Sequence, residues 1–200
     1  MTVYATPWGR FNLTREAWEA LPLYVRLGLA ACLHLDWVYG AGKFPYRCGA
    51  IPANLVNELA RTTNCSTFTT AILSAAYPSI PWTIQDYQDL QIYSIARPLS
   101  PIEAVARRRV GEIVEEPVEG KLHLVQGWRT FGKPATATRP PVKPSGHSFV
   151  ARREGDLLRV LQVANEVGPK WSYTTIADVE EEYRAALGFA RLLDLGEALP

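Results

Sequence analysis

The spacing of apolar residues changes character once along this chain, near Gly120, and that change restricts it to a fold that is helical first and extended second. Beyond Gly120 lie three extended runs, Lys121 to Arg129, His147 to Arg153 and Leu157 to Ala164. Glu154-Gly155-Asp156 separates the last two and reads as a turn, which makes them an antiparallel hairpin. Gly132 to Gly146, rich in Pro, Thr and Lys, reads as a surface loop.

Before Gly120 the signals are helical. Thr14 is placed to cap a short first helix, and Pro22 stops it or opens the next. Leu23, Leu27, Ala30, Ala31 and His34 recur at helical spacing within the apolar run from Leu23 to Val38. Cys32 and His34 in that run are expected to be core or half-buried packing elements. A short amphipathic helix is expected from Pro52 to Arg61, and another from Thr83 to Ser94. A helix opening near Cys65 should end at Tyr77-Pro78-Ser79-Ile80-Pro81, where proline denies further hydrogen bonds. Ser100-Pro101-Ile102-Glu103 has capping-box spacing and opens a helix running toward Val110. Arg107, Arg108 and Arg109 at its end suit the helix dipole and a solvated surface. With 200 residues, 48% of them hydrophobic, the chain can bury one substantial core. The expectation is a single α+β domain, helical over about 1–115 and sheet over about 116–200.

Composition removes several function classes. Lys plus Arg (21) balances Asp plus Glu (20), which leaves no overall field to attract nucleic acid or an anionic membrane. The three cysteines, at 32, 48 and 65, lack metal-ligand spacing, so neither a metal nor another cofactor is expected. No run of about 18 apolar residues suggests a membrane span. The N-terminal sequence has no secretory signal pattern, so action outside the cytoplasm requires another route of delivery.

Thr62-Thr63-Asn64-Cys65-Ser66-Thr67-Phe68 is the stretch with chemical potential, because a polar loop turns into an apolar helix at a cysteine. The free N–H groups of a helix's first turn favour thiolate over thiol, which makes Cys65 a candidate nucleophile. A lone cysteine is by default a small buried hydrophobe, so a base is required. Gly146-His147 offers one. His147 begins one hairpin strand and Asn165 ends the other, which brings them to the same end of the hairpin. One imidazole nitrogen can then take the thiol proton while Asn165 holds the other; Glu166 competes for that orienting role. The opposing reading makes Asn165 a loop cap and His147 an ordinary polar residue at a strand start.

These residues resemble the NlpC-type cell-wall hydrolases of the papain-like superfamily. Asn64-Cys65-Ser66-Thr67-Phe68 is similar to their D-C-S-G-F nucleophile motif, Gly146-His147 to the G-H that opens a strand, and Pro45-Tyr46-Arg47-Cys48-Gly49-Ala50 to their P-Y-x-x-G-G loop. The resemblance covers about residues 23 to 170, and the chain departs from it at Asn64, Thr67 and Ala50. It implies a papain-like NlpC-type domain with the nucleophile at a helix start against an antiparallel sheet. It further implies a Cys65-His147-Asn165 triad that cleaves an amide in peptidoglycan, within the stem peptide or between sugar and peptide. Tyr46 would join the Cys65 N–H as oxyanion donor, and Trp128 and Trp171 would line the cleft or else serve as core aromatics. Delivery would be by holin lesion, virion or secretion machine. Two other readings stand beside this one: a non-enzymatic virion or tail component that retains the fold, and a thiol acyltransferase.

Overall fold

The hairpin organises a six-stranded sheet, antiparallel throughout, in the order β1-β6-β2-β3-β4-β5. Its strands are β1 (Gly111–Val114), β2 (Leu122–Arg129), β3 (Ser145–Glu154), β4 (Leu157–Ala164), β5 (Val167–Thr175) and β6 (Ala186–Leu192). In this computed structural model the described residues are 7–39, 65–79, 100–129, 145–164, 167–184 and 186–194. The expected helices at Pro52 to Arg61 and Thr83 to Ser94, the Tyr46 loop, and Asn165 and Glu166 lie outside them. The three expected strands are present within two residues of their anticipated ends. The hairpin turn is the two residues Gly155-Asp156, enclosed by the pair Glu154↔Leu157, with Gly155 at φ 65° where an L side chain is strained.

Strand alternation divides the core in two. Leu122, Leu124, Val150, Leu161, Val163, Ala190 and Leu192 face one way, toward the helices α2 (Leu23–Tyr39), α3 (Cys65–Ala76) and α4 (Ser100–Arg107). Val125, Phe149, Ala151, Leu158, Val160 and Phe189 face the other way, where they meet Val179 of α5 (Ile176–Glu182) and Tyr183. The result is α+β, as expected. Less regular segments were not foreseen. Residues 111–114 and 186–192 pair with one another as β1 and β6, so the sheet also takes residues from the expected helical part. β5 carries Gly168-Pro169, which reads as loop but is tolerated in an edge strand. Thr175 caps α5 by accepting a hydrogen bond from the Asp178 N–H at 3.0 Å.

At the N-terminal end, Thr14 Oγ1 accepts from the Ala17 N–H at 3.1 Å and caps α1 (Arg15–Glu19). The Pro22 carbonyl accepts from the Val25 and Arg26 N–H groups, so Pro22 opens α2. All five residues of the expected α2 stripe are buried, His34 included, whereas Cys32 is exposed: it points away from that stripe and is not a packing element. Among the described residues no helix is long and apolar enough to cross a membrane.

Arg26 ties the layers together. Its guanidinium is fully buried, donates to the Ala76 carbonyl at 3.0 Å, lies 5.8 Å from the Tyr77 ring centroid and pairs with Asp194, just beyond β6. Asp194 also accepts from the Leu23 N–H at 3.0 Å. Breaking a buried ion pair costs most when the abandoned charge is itself buried, and the Asp194 side chain is 43% exposed. Arg26→Ala should therefore destabilise by about 2–3 kcal/mol, read from denaturant midpoints at an unchanged m-value.

Two buried histidines work against the folded state in acid. His34 packs edge-on to Phe68 at 5.2 Å, and burial lowers its pKa to about 3. His123 accepts the Val118 N–H at 2.9 Å, and burial lowers its pKa to about 4 despite opposing backbone hydrogen bonds. Both bind a proton more readily unfolded than folded, so the unfolded state gains stability as pH falls below about 6.5. Each should cost about 3 kcal/mol by pH 4, and His34→Leu should flatten the fall in melting temperature between pH 6.5 and 4.

Candidate active site

The start of α3 is pinned beside β3. Cys65, Phe68, Ile72 and Ala76 recur at intervals of three or four and bury one helix face in the core. Thr69, one turn after Cys65, donates through Oγ1 to the Ser148 carbonyl at 3.2 Å. That bond joins the second turn of the helix to the residue following His147. Cys65 itself is 5% exposed.

His147 stands where the sheet forks. The β3–β4 ladder ends at the pair Val150↔Leu161. Past that pair β3 remains with β2 as far as Ser145↔Arg129, and β4 remains with β5 as far as Ala164↔Val167. His147 lies three residues into the fork on β3, and Gln162 one residue into it on β4. Their side chains meet, with His147 Nε2 at 2.8 Å from Gln162 Oε1. Gln162 Nε2 donates in turn to Ser172 Oγ on β5 at 3.3 Å, which turns the amide oxygen toward the histidine. An amide oxygen only accepts, so His147 Nε2 carries a hydrogen. Nδ1 is thereby left for the Cys65 thiol, which hydrogen-bonds the ring.

Opposing influences act on the imidazole. Burial is the largest and pushes its pKa down; the hydrogen bond and charge of Cys65, the Gln162 hydrogen bond and the Glu182 charge together outweigh it. The net direction is upward from 6.5, toward imidazolium. The ring also lies 5.4 Å from the Phe149 centroid and 6.4 Å from that of Tyr183. A positive imidazole and the positive end of α3 both favour thiolate at Cys65, and such a pair can attack a carbonyl and return a proton to the leaving group.

Of the residues singled out in the sequence, Cys65 and His147 are brought together. Gln162, three residues before the expected Asn165, occupies the orienting place on Nε2. Counting in twos from the pair Arg153↔Leu158 puts 160 and 162 on the face of His147, and that parity is the signal by which Gln162 was legible. Asn165 and Glu166 themselves lie outside the described residues. Trp128 is 8% exposed and pairs with Gly146, so it contributes packing next to the histidine. Trp171 is 39% exposed on the edge strand β5, under the Arg159 guanidinium at 5.0 Å. The buried rings of His34 and His123 belong to the core contacts described above. Among the described residues there is no group of three or more His, Cys, Asp or Glu side chains able to hold a metal ion.

Burial and ionisation make opposite forecasts for thiol reactivity. Cys32 is exposed and Cys65 is buried, so access alone favours Cys32. With thiolate as the reacting species, iodoacetamide at about pH 6 should modify Cys65 first, at least tenfold faster than Cys32 by peptide mass analysis. Faster labelling of Cys32 would mean that Cys65 is an inert packing residue.

Compared with family models, with curated proteins and with solved structures, the chain matched none of the three, so the site is defined by its geometry alone.

Proposed function

We propose that this protein is a cysteine hydrolase that opens an amide bond through a thioester intermediate, with peptidoglycan as the substrate. One observation carries the catalytic part: a thiol at a helix start hydrogen-bonds an imidazole whose other nitrogen is fixed by an amide oxygen. The substrate class is supported by the likeness of Asn64-Cys65-Ser66-Thr67-Phe68 and Gly146-His147 to the NlpC-type motifs.

In this mechanism the Cys65 sulfur attacks the amide carbon, and the carbonyl electron pair moves onto oxygen. The Cys65 backbone N–H, at the positive end of α3, stabilises that oxyanion. Collapse breaks the C–N bond while His147 Nδ1 gives its proton to the departing amine. Water then adds to the thioester and yields its proton to the neutral imidazole. The second collapse releases the carboxylic acid and restores the thiolate. Gln162 keeps Nδ1 toward the sulfur through both steps.

Digestion of purified cell walls, with mass analysis of the fragments, tests activity and identifies the bond together. Cys65→Ala should lower turnover by at least about a thousandfold, with roughly 1 kcal/mol or less of stability lost for so small a truncation. Gln162→Ala should slow turnover roughly tenfold to a hundredfold, because it acts only through the histidine. Full activity in Cys65→Ala would eliminate the thiol mechanism. Wall binding without cleavage, equal with and without the thiol, would put a non-enzymatic binding role in its place.

A further inference from the structure

Tyr183, at the end of α5, lies against the ring of His147. Tyr183, the C-cap of α5, lies nearly parallel to the imidazole at 17° with centroids 6.4 Å apart. Its seat is cut into β2 at Gly127, the residue paired with His147. A Cβ there would lie 2.1 Å from Tyr183 Cγ, so only glycine lets the ring so close to the strand. The chain is fixed on both sides of this ring: the Tyr183 N–H donates to the Val179 carbonyl at 2.9 Å, and Arg184 bridges to Trp128. Tyr183 is buried, so its placement is set by packing as well as by the backbone.

We propose that the C-terminal end of α5 positions the active-site base, with Tyr183 in its Gly127 notch holding the His147 ring by stacking. This rests on the hydrolase reading given above. Tyr183 is a positioning residue, since it acts through the imidazole, and Glu182 beside it adds its charge. Around the ring, Gln162 fixes rotation at Nε2 while Phe149 and Tyr183 restrict tilt. Among the described residues, the titratable groups that bear on it are Cys65 from α3 and Glu182 and Tyr183 from the end of α5.

The test is the pH profile of Cys65 alkylation, followed peptide by peptide in the full chain, because it reads the thiol–imidazole pair without needing turnover. Tyr183→Phe keeps the ring and should match the parent. Tyr183→Leu should slow alkylation about tenfold near pH 6 and raise the profile's midpoint by about one unit. Glu182→Gln, a change at an exposed residue, should move the midpoint the same way by a smaller amount, and it decides the matter if Tyr183→Leu does not fold. Loss of stability alone would lower melting temperature and leave the midpoint in place. An activated parent with unchanged midpoints in Tyr183→Leu, or in Glu182→Gln should the former not fold, overturns the positioning role and leaves the hydrolase reading standing. A parent midpoint near that of an ordinary thiol, about 8.5, removes the hydrolase reading and this role with it.

Discussion

The two-residue turn Gly155-Asp156 is the constraint on which the rest depends. It fixes which residues of β3 and β4 share a face, and a slip of one position would reverse that assignment for a whole strand. With the observed register, Val150 and Leu161 bury against the helical layer while Phe149, Leu158 and Val160 bury against α5. The same parity puts His147 and Gln162 on one side, close enough to bond once the ladder ends at Val150↔Leu161. Core formation and site assembly therefore follow from a single turn geometry.

Separation of the strands beyond that ladder is what lets side chains of β3 and β4 meet between them. A histidine within continuous pairing would face one layer only. At the fork, His147 has Tyr183 and Phe149 beside it and still reaches the thiol at the start of α3. Helix ends of opposite polarity thus meet at the thiol–imidazole pair: Cys65 opens α3, and Tyr183, the C-cap of α5, lies against the His147 ring.

Much of this was legible in the sequence, and the limits have physical causes. Thr14, Pro22, the α2 stripe and the Gly155 turn are local signals read by local rules, and each appears where expected. Cys65 and His147 were recognisable because helix starts and strand starts leave marks in composition. β1 and β6 were hidden because pairing between residues 111–114 and 189–192 has no local signature, and β5 because its glycine and proline look like loop. Tyr183 was invisible as a site residue, since only the fold brings the end of α5 to Gly127. Cys32 was misplaced because a single apolar-looking residue in an apolar run says little about which side of the helix it occupies.

The position of β6 has a consequence for how the chain is made. It is the last of the described strands in sequence, yet in space it lies between β1 and β2, and residues just beyond it bond Tyr77, Arg26 and Val110. While a ribosome is still producing the residues before 186, β1 has no partner and β2 shows an open edge. Such edges are the surfaces at which nascent chains join one another. Closure over so long a sequence separation also slows the final step of folding. The interval between synthesis of β2 and arrival of β6 is therefore when the described strands leave most edge unpaired.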